Sequence, residues 1–309
     1  DNPNVIAQVT VPGLLDTFLD ANKQLDEIQK SLNDYLELKC AAFPRFYFLS
    51  NDELLEILSQ TRDPYAVQPH LIKCFDAIKR LQFGDMEDAK KMLAIISGEA
   101  EVVPFVNCPM AEGPVEVWLM NMQLAMIEAL YTNCKNAWLR LLEIEFVLPD
   151  KFSEARMGAE NGPLDQWFFG FPAQSIIMIG QIEWTLGVDM ALTQIHDEGK
   201  PDALKIYSEK WIQSIGYMVS IVRRQLKPNQ RQVIGAKLTL DVHCRDTNSE
   251  LVHKKVGWVN EFEWQKQLRY QWDEEVDDCA LRQTNTYFRY GYEYLGNSMR
   301  LVITPLTDR

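Results

Sequence analysis

Between Ala203 and Leu226 the apolar residues keep helical time: Leu204, Tyr207, Trp211, Ile215, Met218 and Val222 recur at steps of three and four. Only a period of 3.6 residues gathers such positions into one stripe, so the segment is committed to an amphipathic α-helix that must bury that stripe against something. Lys227-Pro228 ends it, because proline lacks the amide donor and clashes with the preceding turn. A second run, Pro12 to Lys39, places Leu15, Phe18, Leu25, Ile28, Leu32, Tyr35 and Leu36 at the same spacing. About 28 helical residues make a strut roughly 40 Å long. Asn22 interrupts its apolar seam, so a sustained coiled coil is not expected. Two such stripes dictate a mainly helical fold.

The intervening chain is punctuated by proline and glycine. Phe43-Pro44-Arg45-Phe46-Tyr47-Phe48-Leu49 breaks the first helix, and its alternating aromatics predict a short extended segment. Ser50 and Glu53 have capping-box spacing ahead of Leu54, Leu55, Ile57 and Leu58, which predicts a new helix start. Pro69 to Phe83 reads as a helix carrying Leu71, Cys74, Phe75, Ile78 and Leu81. Ile95-Ile96 and Val102-Val103 flank Ser97-Gly98-Glu99-Ala100, a hairpin signal near 93–106, with Pro104 confining the second strand to a sheet edge. Gly113-Pro114 opens a long helix to about Phe146 with Met122, Met126 and Leu130 as a core stripe. Proline and glycine clusters from Pro149 to Gly162 then mark a candidate hinge. Ala173 to Thr193 forms a helix, apolar all round at Ile176–Ile179 and therefore central. Residues 229–257 satisfy both periods, and their lack of turn residues favours helix. Short aromatic and β-branched runs at Arg269–Trp272, Ala280–Thr284 and Thr286–Tyr290 predict antiparallel strands. The fold expected is an elongated arch of helical bundles with one small β-hairpin and short antiparallel strands near the C-terminus. Its units would be 1–150, 151–268 and a β-rich connection at 269–309.

Composition narrows the function. With 47% hydrophobic residues, 24% charged residues and a net charge of −13, the chain is a folded protein without the cationic surface that nucleic acid requires. Arg223, Arg224, Lys227 and Arg231 form the densest basic cluster, read as a solvated helix end. Six scattered cysteines with no Cys-x-x-Cys predict reduced thiols in a cytosolic setting. The start, Asp1-Asn-Pro-Asn, has neither signal-peptide character nor an initiating Met, so a longer parent trimmed at this end is expected. No apolar run of the roughly 20 residues that span a bilayer is apparent, and no membrane partner is expected. His70, His196, His243 and His253 lie far apart, outside any zinc-ligand spacing. There is no phosphate loop, no Gly-x-Gly-x-x-Gly and no Gly-x-Ser-x-Gly elbow. The acidic pairs Glu274-Glu275 and Asp277-Asp278 read as a solvated loop. No catalytic residue and no metal site are predicted.

Several stretches resemble dynein heavy chains. Phe43 to Gln60 resembles the hallmark run of the dynein linker over eighteen consecutive residues. Val67–Phe75, Ile96–Val103, Val115–Trp118, Pro172–Gln174 with Gln181–Thr185, Phe262–Tyr270 and Gly291–Arg309 are similar to the same region in the same order. The run Leu49 to Gln60 is closer to axonemal than to cytoplasmic members. Glu183 departs from the pattern, standing where many relatives carry an apolar or aromatic residue. The resemblance implies a linker lying across an AAA+ ring and amplifying nucleotide-driven rearrangement into a power stroke on microtubules, in the axoneme of a cilium or flagellum. It implies that ATP or ADP with Mg acts in the parent ring and not in this segment, and that the partners are the ring of the same heavy chain, microtubules, and intermediate and light chains bound through the parent tail. It also implies that Leu301, Val302, Ile303 and Pro305 form the adenine side of the first AAA+ site once the ring module follows. The residues themselves leave open a free-standing all-helical adaptor. A hydrolase built on His243 and nearby carboxylates is disfavoured by the scatter of the histidines.

Overall fold

The structure, a computed structural model, describes residues 5–6, 10–59, 63–144 and 162–297. Its first long helix, α1 (Leu14–Ala42), follows Gly13, whose φ of +78° is the left-handed turn that glycine tolerates without cost. Only Leu36 and Cys40 of α1 are buried, while Phe18, Leu25 and Ile28 face outward. The predicted stripe is therefore real, and most of it is uncovered here. Lys39 near its end reaches Glu116.

The aromatic break is not extended. Pro44–Phe48 is a 3₁₀ turn, and Phe43, Phe46 and Leu49 are buried while Tyr47 and Phe48 are exposed. Those buried positions are three apart, which is the 3₁₀ repeat; the spacing of two that suggested a strand connects residues on opposite sides. The capping box then forms as expected: Glu53 accepts from the Ser50 amide at 3.0 Å and starts α2 (Asn51–Ser59).

The predicted helix from Pro69 to Phe83 is also corrected. Helical turns stop at Cys74, Phe75 is extended, and Ile78–Phe83 forms β1. The cause is tertiary. β1 pairs antiparallel with β2 (Met92–Ser97), which pairs with β3 (Val102–Pro104), giving the order β1-β2-β3. Ile78, Leu81 and Phe83 are buried, and a bulge between Ile78 and Arg80 reconciles their three-residue step with a strand. The hairpin and its edge proline stand where the sequence put them.

The long helices assemble around one of their number. α3 (Val115–Glu143), α5 (Ala173–Glu198), α6 (Ala203–Val222) and α7 (Pro228–His253) match the predicted helices, α4 (Pro163–Gly170) is a short helix outside the predicted set, and α5 packs against α3, α6, α7 and strand β4 (Arg269–Asp273). Central α5 is the helix among the described residues long and apolar enough to cross a membrane, and 72% of its most apolar window is buried inside the protein. The 229–257 stretch is helix as far as His253, with Ile234, Ala236, Cys244 and Leu251 all buried. Strands β4 (Arg269–Asp273), β5 (Asp278–Gln283) and β6 (Thr286–Arg289) form a second antiparallel meander.

One buried apolar cluster runs from Leu36 through α3 and the first half of α5 to Tyr294. A second, around Trp184, Trp211 and Trp264, fills the far end of the α5–α6–α7 bundle. Between α5 and α7 lies a charged patch in this apolar setting: Lys237 donates to both Asp241 oxygens at 2.7 Å, with Glu183 also buried. The basic cluster proves structural in part. Arg224 pairs with the buried Asp165, and Arg231 donates to the Val222 carbonyl at 3.2 Å, closing the end of α6. Of the proposed Pro149–Gly162 hinge, residues 149–161 lie outside the described residues, as do residues 298–309, and Gly162 is the N-cap of α4.

Candidate functional site: the joint at the C-terminal exit

Beyond β6 the chain runs from Gly291 to Asn297 without regular structure, burying Tyr292 and Tyr294 on alternate steps. A segment with no ladder must find other partners for its polar groups, and it finds them on four separate elements.

The first is the β2–β3 turn. Ala100 adopts φ +63°, and the Ser97 hydroxyl accepts from the Glu99 and Glu101 amides, each at 3.2 Å. That turn aims Glu101 at two targets. One oxygen accepts from the Ala173 amide at 2.8 Å and the other from the Tyr294 hydroxyl at 2.6 Å. Helix α5 is preceded by Pro172, which offers no capping side chain. Glu101 therefore supplies from a distance the carboxylate that the positive end of a helix favours. The same group ties the exit segment to the central helix.

The second is Arg45. Its Nε donates to Gln123 on α3 at 2.8 Å, and one Nη donates to the Cys74 carbonyl at 3.0 Å and to Glu293 at 2.9 Å. The other Nη reaches the second Glu293 oxygen, making the pair bidentate, and the guanidinium lies 4.4 Å from the Phe75 ring centroid. A planar fork held in this way fixes orientation as well as distance.

The third is Gln174, one residue inside α5. Its amide nitrogen donates to the Tyr290 hydroxyl at 2.8 Å and the Glu293 carbonyl at 2.7 Å, while its oxygen accepts from the Leu295 amide at 2.8 Å. The fourth is the β4–β5 turn against α3. Asp277 accepts from the Tyr131 hydroxyl at 3.0 Å and pairs with Lys135, whose ammonium holds the carboxyl below its ordinary range. Next to it, Asp278 accepts from the Tyr292 hydroxyl at 2.6 Å. Tyr292 sits at φ +50°, a conformation uncommon for an aromatic residue, and its buried ring keeps it there.

These contacts orient a chain; none forms a nucleophile–base pair. Among the described residues there is no group of three His, Cys, Asp or Glu positioned to hold a metal. Burial pushes the Cys74 thiol up to about 11 and the Cys134 thiol up to about 12, so neither is a ready thiolate. The acidic loop at 274–278 is only partly solvated, since Asp277 and Asp278 are anchors. Leu301, Val302, Ile303 and Pro305 lie outside the described residues.

Residues 1–137 match the family described as dynein heavy chain, N-terminal region 2. Over 99% of its length the chain is 41% identical to dynein axonemal heavy chain 2 of Homo sapiens, covering 7% of that protein. It is 42% identical to dynein axonemal heavy chain 6 of Homo sapiens, again over 99% of the chain and 7% of the relative. It is 41% identical to dynein-1-beta heavy chain, flagellar inner arm I1 complex, of Chlamydomonas reinhardtii, over 99% of the chain and 6% of the relative. The chain belongs to the dynein heavy-chain family. It spans only 6–7% of the length of these three relatives.

Seen as a dynein heavy-chain segment, the joint gathers the stretches that carried the resemblance. Arg45 comes from the Phe43–Gln60 run, Cys74 and Phe75 from Val67–Phe75, Glu101 from Ile96–Val103, Gln174 from Pro172–Gln174, and Glu293 and Tyr294 from the terminal stretch. Sequence reasoning named the stretches and missed the joint, because Glu101 and Tyr294 are 193 residues apart and Arg45 and Glu293 are 248 apart. One local signal was available: α5 opens with Pro172-Ala173 and no Ser, Thr, Asp or Asn, so its cap had to come from elsewhere.

Proposed function

We propose that this chain is the mechanical linker of an axonemal dynein heavy chain, coupling ATP hydrolysis in the AAA+ ring to a power stroke on microtubules in a cilium or flagellum. The observation that carries the reading is the joint. The segment leading out of the fold is tied to α5, the β2–β3 turn, the 3₁₀ turn and the β4–β5 turn at once, so a displacement at Asn297 is delivered to the packed elements and not absorbed by a loose strand. A mechanical element needs stiff struts and a fixed attachment, and no reactive group. Bond-breaking belongs to the ring, where ATP and Mg act, and the linker itself turns over no nucleotide. Leu301, Val302, Ile303 and Pro305 wall the adenine when the ring module is attached, and the swing is centred on the Pro149–Gly162 region. Intermediate and light chains act through the parent tail. The relatives' names, axonemal and flagellar, support the setting.

The test is a full-length heavy chain carrying Arg45→Ala with Gln174→Ala. ATP turnover stays within about twofold of the parent, while microtubule gliding slows severalfold. Equal loss of both, or of neither, overturns the reading.

A further inference from the structure

Away from the joint, the register of β4 and β5 sets Arg269 directly opposite Arg282. Like charges in that position repel and destabilise a ladder. The arrangement is costlier than a surface pair, because Arg269 is only 5% exposed. Its guanidinium donates to the Gln265 side chain at 2.8 Å and lies 5.9 Å from the Trp264 ring, yet its Nε has no hydrogen-bond partner. Among the described residues neither arginine makes an ion pair. Asp189 is the carboxylate nearest to hand, and its oxygens are already engaged by the Trp264 indole at 2.7 Å and the Gln271 amide at 3.2 Å.

Both arginines and Asp189 line one cavity of about 570 Å³ between the Val259–Gln265 stretch and the β4–β6 meander. Two guanidinium groups against one carboxylate leave it cationic. Asn260, Asn285 and Thr286 add neutral polar side chains to its wall, and Tyr287 adds a ring whose centroid lies 5.9 Å from the Arg282 guanidinium. We propose that this cavity binds a phosphate group carried on a small organic ligand, with Arg269 and Arg282 gripping the phosphate. Guanidinium forks match oxyanions in shape and charge. Polar groups reach the space from three strands, a turn and the Asn260 loop, which suits a tetrahedral acceptor better than a flat carboxylate. The volume exceeds that of one phosphate, and Tyr287 offers the remainder of the ligand a flat apolar surface. The anion also removes the repulsion that the ladder imposes on Arg269. This site is independent of the linker reading, and its test bears on neither motility nor ATP turnover.

The experiment is thermal unfolding and calorimetric titration of the 309-residue chain with phenyl phosphate at constant ionic strength, and with benzoate as the carboxylate of matching ring. Phenyl phosphate raises the unfolding midpoint saturably, as linkage requires of a ligand that binds only the folded state. Benzoate binds at least tenfold more weakly. Arg282 is exposed, so Arg282→Gln folds normally; its ligand-free midpoint is unchanged or higher, and its affinity for phenyl phosphate drops at least tenfold. No saturable stabilisation by phenyl phosphate, equal binding of benzoate, or unaltered affinity in Arg282→Gln overturns the proposal.

Discussion

Replacing Glu101 by alanine removes one carboxylate and strands two donors. The Tyr294 side chain is wholly buried and its hydroxyl loses a 2.6 Å acceptor. A buried donor left without a partner costs about 1–3 kcal/mol. The first amide of α5 loses a charged acceptor at 2.8 Å, an effect of about 0.3–1 kcal/mol at a helix N-terminus. The expected destabilisation is therefore about 1–4 kcal/mol. Tyr294→Phe alone takes away the hydroxyl and leaves Glu101, which is half-buried, able to recruit water; about 1 kcal/mol is lost. The informative measurement is the double variant. Once Glu101 is gone, the Tyr294 hydroxyl is a liability, so Tyr294→Phe in that background is neutral or restores stability. Urea unfolding followed by circular dichroism gives the four midpoints of the cycle. A coupling of about 1–2 kcal/mol is expected, and additivity within about 0.5 kcal/mol refutes the claim that Glu101 joins the exit segment to α5.

Other outcomes follow from the same structure. Burial raises the Glu183 carboxyl to about 8, well above its ordinary value of 4.5. The folded state thus holds its proton where the unfolded chain has released it. The stability this gives is fully present below the unfolded value and is lost as pH rises through the folded one. Glu183→Gln should match the parent near pH 4.5 and exceed its stability increasingly up to pH 8, read by urea midpoints; parallel profiles contradict this. A Cβ built on Gly187 overlaps the Tyr207 ring, so Gly187→Ala should cost about 1–3 kcal/mol despite alanine's better helix propensity; a gain in thermal midpoint would show that the ring yields freely. Ser50→Ala removes the reciprocal cap of α2 and should cost about 1 kcal/mol in the same unfolding assay, without altering gliding by the parent motor.

What the sequence made legible was governed by distance along the chain. Period and punctuation located α3, α5 and α6, the β2–β3 hairpin and the C-terminal strands, because each depends on neighbours within a few residues. They failed at Ile78–Phe83, where helical spacing was overruled by pairing with β2, a tertiary choice that no local pattern reports. They failed at Phe43–Leu49 because aromatic alternation imitates a strand, while the buried positions keep a step of three. The joint was beyond reach for the same reason. Glu101 reads as an ordinary hairpin residue and Arg45 as one basic residue in an aromatic run, until folding brings Tyr294 and Glu293 beside them. The charged patch was half visible: Glu183 stood out in an apolar helix, but its neighbours Lys237 and Asp241 lie on a helix more than fifty residues further on.

In the proposed function this segment swings about the Pro149–Gly162 region while chemistry proceeds in the attached ring. The most direct test is the distance between a fluorophore on the exposed face of α1, at Phe18→Cys, and a second on the ring of the full-length heavy chain. Single-molecule energy transfer should report two discrete distances, with their populations exchanged between ATP and nucleotide-free conditions. One fixed distance under both conditions, with hydrolysis intact, contradicts it.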